Sequence, residues 1–460
     1  MKGTDGRITH GHRWLLFLLG LAAASFGRAQ TPCPTFGWED PTSGSFADPG
    51  HWNVPGAADV DHCKNRAPNP GESVRFFGGN YGVTIPVNHS SPIFFTENAP
   101  GGGFSQHTFD IAGALQADIM RAASIVTMRG QGSFASMDGA FNELHAEEVT
   151  LNLSKLESGI ITLSNKATLN TTGTVMASGV TMDDASWSHT GPGGSADFNP
   201  GFVNVTNNST FFADAIDTDP FAIRFAATGG GGIQINQFKG GFLSLLNNGS
   251  FEATTAVITG ASTPITVDGP GTQMAADELR LENGAITINV TNVARLSTGQ
   301  LEITDPRGIQ SLNGDGVDTR ILIDGLADIT AGQLNARNGA FIDVDNLRFS
   351  QGGSSNIEGA TSFLRVANEV SGNGVLRASG KVTTPNININ TGGVTVFEGG
   401  ILQVPTRLRL SSGAIIGINS GGRVESPKAL LDGASGNISG AGSEWRVRDF
   451  TFTQGGILNI

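Results

Sequence analysis

From about residue 100 to residue 460 the apolar residues come in short runs of period two, each stopped by Gly or Asn. Ser158-Gly-Ile-Ile-Thr-Leu163, Asn283-Gly-Ala-Ile-Thr-Ile288, Asn338-Gly-Ala-Phe-Ile-Asp-Val344, Gly392-Gly-Val-Thr-Val396 and Gly455-Gly-Ile-Leu-Asn-Ile460 share this form. Alternation of this kind puts one face of a strand into a core and the other outside. Sustained helical periodicity is missing beyond the leader; Ala112 to Val126 comes nearest and lacks caps. Strands this short cannot bury their apolar face alone, so they must stack on neighbours.

Two spacings suggest how. Asn283-Gly, Asn338-Gly and Gly392-Gly open similar runs at nearly even intervals. A Gly-x-Gly-[Ser/Thr] turn recurs at Gly130-Gln-Gly132-Ser133, Gly269-Pro-Gly271-Thr272 and Gly440-Ala-Gly442-Ser443, with a variant at Gly191-Pro-Gly-Gly194. Sandwiches and propellers need paired hairpins, whereas here Gly pairs precede single strands. The composition, with 65 Gly among 460 residues and only 15% charged, suits a right-handed parallel β-solenoid whose corners are taken by Gly or Asn. At roughly 20–25 residues per coil residues 99–460 would give about 15–18 coils, a rod on the order of 75–85 Å long at a rise of ~4.8 Å. Asn247-Asn248, Asn386, Asn388 and Asn390 are candidates for side-chain ladders between coils, with simple turn chemistry as the alternative.

The chain before residue 99 differs. Lys2, Arg7 and Arg13 precede the uncharged run Trp14–Ala24, with small residues at Gly27 and Ala29. The run has the length of a signal-peptide core, and the pattern is that of a signal peptide over 1–29; the alternative, a short membrane anchor, lacks length. Its removal takes Lys2, Arg7, Arg13 and Arg28 with only Asp5, and makes the net charge more negative than −13. The expected product is exported, secreted or at the cell surface, with no transmembrane segment and no basic footprint for nucleic acid. Residues 30–98 gather prolines, Trp38, Trp52, Tyr81 and both cysteines, and read as a small β-rich capping module around aromatic residues. In an oxidising compartment Cys33 and Cys63 are expected to form a disulfide closing about 30 residues, worth on the order of 3 kcal/mol. A metal site with His51 and His62 fits no zinc spacing.

A family resemblance rests on these turns. Ile438-Ser-Gly-Ala-Gly-Ser-Glu-Trp445, followed by Phe450-Thr-Phe452 and Gly455-Gly-Ile-Leu-Asn-Ile460, resembles the repeat of bacterial type V secretion and PEP-CTERM-associated surface proteins. Ile265 to Thr272 with Leu279-Arg-Leu281 and Ala285-Ile-Thr-Ile288 is a second copy, Met274 standing where Trp445 stands in the first; Met128 to Ser133 is a third. Gly44 to Trp52 and on to Ile85 is similar to the module that precedes such solenoids, with Glu72 at a position usually Asp. The resemblance implies an exported, autotransporter-passenger-like β-solenoid. The chain departs from the pattern in its irregular repeats and in showing neither translocator barrel nor Pro-Glu-Pro tail. It stops at Ile460 on a strand, so the expectation is a truncated or partner-covered end capable of self-association.

Chemistry is harder to find. Asp183-Asp184, Asp343-Val-Asp345 and Asp214/Asp217/Asp219 are the candidate carboxylates for acid–base work or calcium, with solvated surface charge as the alternative. Asn313-Gly-Asp-Gly-Val-Asp318-Thr-Arg-Ile321 partly resembles a calcium nonapeptide, but it is single and Arg320 takes the aliphatic position, so a turn is the expectation. His89, His107, His145 and His189 are isolated and expected on the surface; Arg320, Arg337, Arg348, Arg365 and Arg377 could line one flank, but ordinary solubilising charge among Asp is the expectation. Asn-x-Ser/Thr triplets at Asn88, Asn170, Asn204, Asn248, Asn289 and Asn437 are expected by chance. With no convergent site, catalytic, metal or cofactor-binding, the expectation is a structural or adhesive surface protein meeting glycans or other surface proteins. The rival is a polysaccharide lyase or glycoside hydrolase, which would show a groove above ~300 Å³ with clustered acids and exposed aromatics.

Overall fold

The structure is a computed structural model describing residues 33, 35–38, 43–54, 66–76, 80–86, 88–96, 105–194, 197–218, 223–260, 264–304 and 310–460. The leader, His62, Cys63 and Asp219 lie outside the described residues. The chain winds into a parallel β-solenoid of about 16 turns, with a three-stranded sheet at the start. Thr150–Leu153, for example, pairs in parallel with Ser133–Glu147 before it and Thr168–Thr171 after it. Coil length follows from such pairs. Thr150 is the coil-to-coil neighbour of Ser133 and Arg320 that of Arg295, so the later coil holds more chain than the earlier one.

Each turn has three faces. One carries segments such as Thr150–Leu153. The next strand, Leu156–Ser164, bends at Gly159 and so serves both remaining faces; a Cβ on Gly159 would collide with the Asn142 carbonyl oxygen of the coil before. Even the stretch closest to helical periodicity is extended, as the strand Ala114–Arg129. Its alternate residues Leu115, Ala117, Met120, Ala122, Val126 and Met128 are buried, because neighbouring coils offer each a like-placed apolar partner.

The even interval between Asn283, Asn338 and Gly392 does not mark equivalent places. Asn283 turns the chain after the strand Gln273–Glu282, Asn338 turns it between Gln333–Arg337 and Phe341–Glu358, and Gly392 lies inside Asn386–Val396. The repeat is the single coil, and insertions at the corners hide it in the sequence. The Gly-x-Gly-[Ser/Thr] turns, by contrast, all occupy one corner, between the third face of one coil and the first of the next. Gly130, Gly269 and Gly440 there have φ of 103°, 95° and 84°, and Gly271 and Gly442 have 75° and 78°. Gly191-Pro-Gly-Gly194 follows Ser186–His189 and belongs to a different corner.

The strands of the N-terminal capping module continue into the ladder of the solenoid, His89–Thr96 pairing with Ala114–Arg129. Phe36–Trp38 pairs antiparallel with Trp52–Asn53 and parallel with Val74–Phe76, which pairs in turn with His89–Thr96. Trp38 is fully buried, stacked on His51 and Tyr81 and edge-on to Trp52. Arg66 lies over the Phe36 ring, donates to both Glu72 carboxylate oxygens at 2.6 and 2.8 Å, and reaches Cys33 Sγ at 3.0 Å. Cys33 itself is disulfide-bonded. At the other end Trp445 packs edge-on against Phe450, and Phe452, Ile457 and Ile460 are exposed.

Candidate functional site

The corner motif holds coils together. Thr272 Oγ1 donates to the Asp268 carbonyl at 2.8 Å and accepts the Asn248 N–H of the previous coil at 3.1 Å. Ser443 repeats this with Ser439 and Gly421, Ser362 with Glu358 and Gly339, and Thr319 with Asp315 and Val293. The hydroxyl just past the strand end thus satisfies two backbone groups that a corner would otherwise leave unpaired. Ser133, after Gly130 and Gly132, stands one position further on: it opens the first-face strand and shares a register file with Thr150, Thr168, Ser186, Thr210, Gly232, Ser250 and Gln273. Met274 and Trp445 fall in one inward file, which runs through Leu296, Ile321, Ile342, Leu364, Val382, Leu402 and Val424.

The candidate carboxylates have local partners. Asp183, Asp268 and Asp315 each accept from the amide of an Asn one coil on, Asn207, Asn292 and Asn338, at 2.7, 2.7 and 2.8 Å. Those three Asn residues are in the left-handed conformation, so the carboxylate fastens a corner. Asp184 is itself left-handed. Asp214 accepts from Asn236, Asp217 pairs with Lys239, and Asp343 pairs with Arg365 of the next coil. The nonapeptide-like segment is one more fastened corner, built on Asp315 and Thr319. Asp345 follows Asp343 where the register slips.

The arginines do not form a file. Arg320 and Arg365 lie on the first face, Arg348 on the second, Arg337 and Arg377 on the third, because coils of unequal length scatter residues spaced in this way. Nor do the expected ladder residues stack: Asn247 and Asn248 turn a corner, and Asn386 bonds the Asn368 carbonyl. The ladder is elsewhere. Asn313 donates to Asn289, Asn335 to Asn313 and Asn356 to Asn335, at 3.0, 2.8 and 3.0 Å. Their near-regular spacing, one coil at a time, was the available signal.

Three histidines expected at the surface are buried: His89, His107 and His189. Each falls on an inward position of its strand, beside aromatic rings that leave room for an imidazole: Phe46, Tyr81 and Phe198 respectively. His189 Nδ1 meets Thr171 Oγ1 at 2.9 Å, and the same hydroxyl accepts the Trp187 indole N–H. Burial pushes the His89 and His189 imidazoles below their ordinary pKa, against the pull of Glu72 on the first and of the Pro192 carbonyl and Asp214 on the second. Glu72 sits below the usual carboxylate range: burial opposes its ionisation, but Arg66 and the Asn69 and Cys33 N–H groups outweigh it. His145 stays half-exposed, 3.5 Å from Glu143.

A groove of about 930 Å³ lies on the second face. Arg121, Ala140, Glu157, Met176 and Asn199 line it as one outward file across successive coils. Arg121 binds Asp138, and Lys155 bridges Asp138 and Glu157 at 3.9 and 2.6 Å. The groove therefore has the size of a polysaccharide cleft, while the carboxylate that lines it, Glu157, is held by Lys155, and its aromatic residue, Phe141, is buried. Among the described residues no three His, Cys, Asp or Glu side chains converge as a metal site, and no helix is long and apolar enough to cross a membrane.

No family model, curated protein or solved structure matches the chain. The β-solenoid that the resemblance implied is present; the family itself rests on the resemblance alone.

Proposed function

We propose that the chain is an exported, extracellular or cell-surface solenoid with a structural and adhesive role. One observation carries this: the acidic residues that would serve catalysis fasten coil to coil instead, Asp183 on Asn207, Asp217 on Lys239 and Asp343 on Arg365. A surface so used is a repetitive display of Thr, Ser, Asn and paired charges along a long column. That geometry suits many weak contacts with an extended partner. The leader-like residues 1–29 support export, and the disulfide at Cys33 suits an oxidising compartment.

The second reading is a polysaccharide-degrading enzyme, favoured by the groove beside Glu157. Incubation of the purified chain with neutral and acidic polysaccharides separates the two. The expected result is retention of polymer with unchanged chain length. New reducing ends, lost in Glu157→Gln, would sink the adhesive reading.

A further inference from the structure

The first face carries one charge pattern that the rest of the column avoids. Elsewhere the register sets cations beside carboxylates or neutral residues: Arg129 by Asp110, Lys239 by Asp217, Arg337 by Glu358, Arg348 by Asp328, Arg365 by Asp343. Arg295 and Arg320 are instead direct neighbours, the one cation–cation pair among the described register partners. Like charges opposite one another weaken a ladder. Both side chains are exposed, and no carboxylate of the described residues pairs with either.

The file continues in a definite order. Arg320 lies beside Phe341, Phe341 beside Phe363 and Phe363 beside Lys381. The two half-buried rings are 5.3 Å apart, inclined by 39°, and Lys381 Nζ is 5.5 Å from the Phe363 centroid. At ~4.8 Å per coil the five side chains form a strip on the order of 19 Å long, parallel to the column axis. Val293 and Val317, 50% and 66% exposed, lie at the corners just before Arg295 and Arg320. On the other side stand Ser297 and Leu322, and Asp343 is taken up by Arg365.

We propose that the strip Arg295–Arg320–Phe341–Phe363–Lys381 binds an acidic polysaccharide laid along the column. The cations at its two ends meet carboxylates or sulfates, and the paired rings between them receive the apolar faces of sugar rings. A cationic strip on a chain of net charge −13 is where an anionic polymer would be steered and held. The proposal rests on the adhesive reading and names its ligand class.

Polygalacturonate, dextran sulfate, neutral dextran and single-stranded DNA are titrated against the full chain at low and high salt. Expected is salt-sensitive binding of an acidic polysaccharide, weakened about tenfold or more in Arg295→Gln/Arg320→Gln. Phe341→Ser/Phe363→Ser should weaken it as well, and Arg129→Gln, whose charge is spent on Asp110, should leave it unchanged. Circular dichroism of each variant reports folding, and the two glutamine exchanges remove a repulsion, so they keep the fold. Equal binding by the arginine variant overturns the strip and leaves the adhesive reading standing. Absence of binding to either acidic polymer, or tighter binding of DNA, also overturns the strip, whereas shortening of a polymer overturns the adhesive reading itself.

Discussion

The two halves of the column are filled differently. Up to Phe251 the interior is a relay of rings: Trp38, Phe76, Phe94 and Phe109 in contact, then Trp187, Phe198, Phe211, Phe225, Phe238 and Phe251. Beyond it Phe349 is the only buried aromatic among the described residues, and Leu, Ile and Val fill the files. Every histidine precedes residue 190. Rings leave angular gaps that admit an imidazole or hydroxyl, and each such group then needs a partner, as His189 and Trp187 find in Thr171. In the aliphatic half the polar fastening lies mostly at the corners and in the Asn289–Asn356 ladder. Bulk holds one half together and repetition holds the other.

Single substitutions can break this contrast. Trp38→Ala should cost about 3–5 kcal/mol and Leu408→Ala, in the aliphatic half, less, within about 2–5 kcal/mol. Urea unfolding followed by near-ultraviolet dichroism measures both; equal losses would remove the distinction. A smaller effect sharpens it. Asn335 is buried and bonds both neighbours in the ladder, so Asn335→Ala should cost about 1–3 kcal/mol. Asn170, in an exposed pair with Asn152, should cost less than about 1 kcal/mol on the same change.

The smallest effect is with mild acid. His89 and His189 are held below their ordinary pKa, so the unfolded chain takes up protons first as pH falls below about 6.5. Stability is lost from there downwards, and a second loss follows below about 4.5 as Glu72 protonates out of its contact with Arg66. Hydrogen exchange should show the aromatic half losing protection first; uniform loss along the column would argue against a local cause.

Particular residues show how far the sequence reaches. Period-two alternation places Leu408 and Leu410 inside and Arg409 outside without any knowledge of the coil. The same alternation puts His107 inward, yet residue chemistry suggested the surface; its place beside Tyr81 depends on ring packing between coils. The Gly130, Gly269 and Gly440 corners were visible as motifs because left-handed backbone restricts residue type. The Asn289–Asn356 ladder leaves only its near-regular spacing in the sequence, because nothing in one strand records which residue lies above it.

Short alternating strands punctuated by Gly and Asn were enough to determine a stacked all-β column, since an apolar face that small is stable only when covered. Lateral adjacency was decided only by the tertiary structure. Coils differ in length along the column, so whether Arg295 meets Arg320 or a carboxylate depends on how much chain each corner absorbs. That quantity is set by the packing of whole turns, and local propensity carries no trace of it.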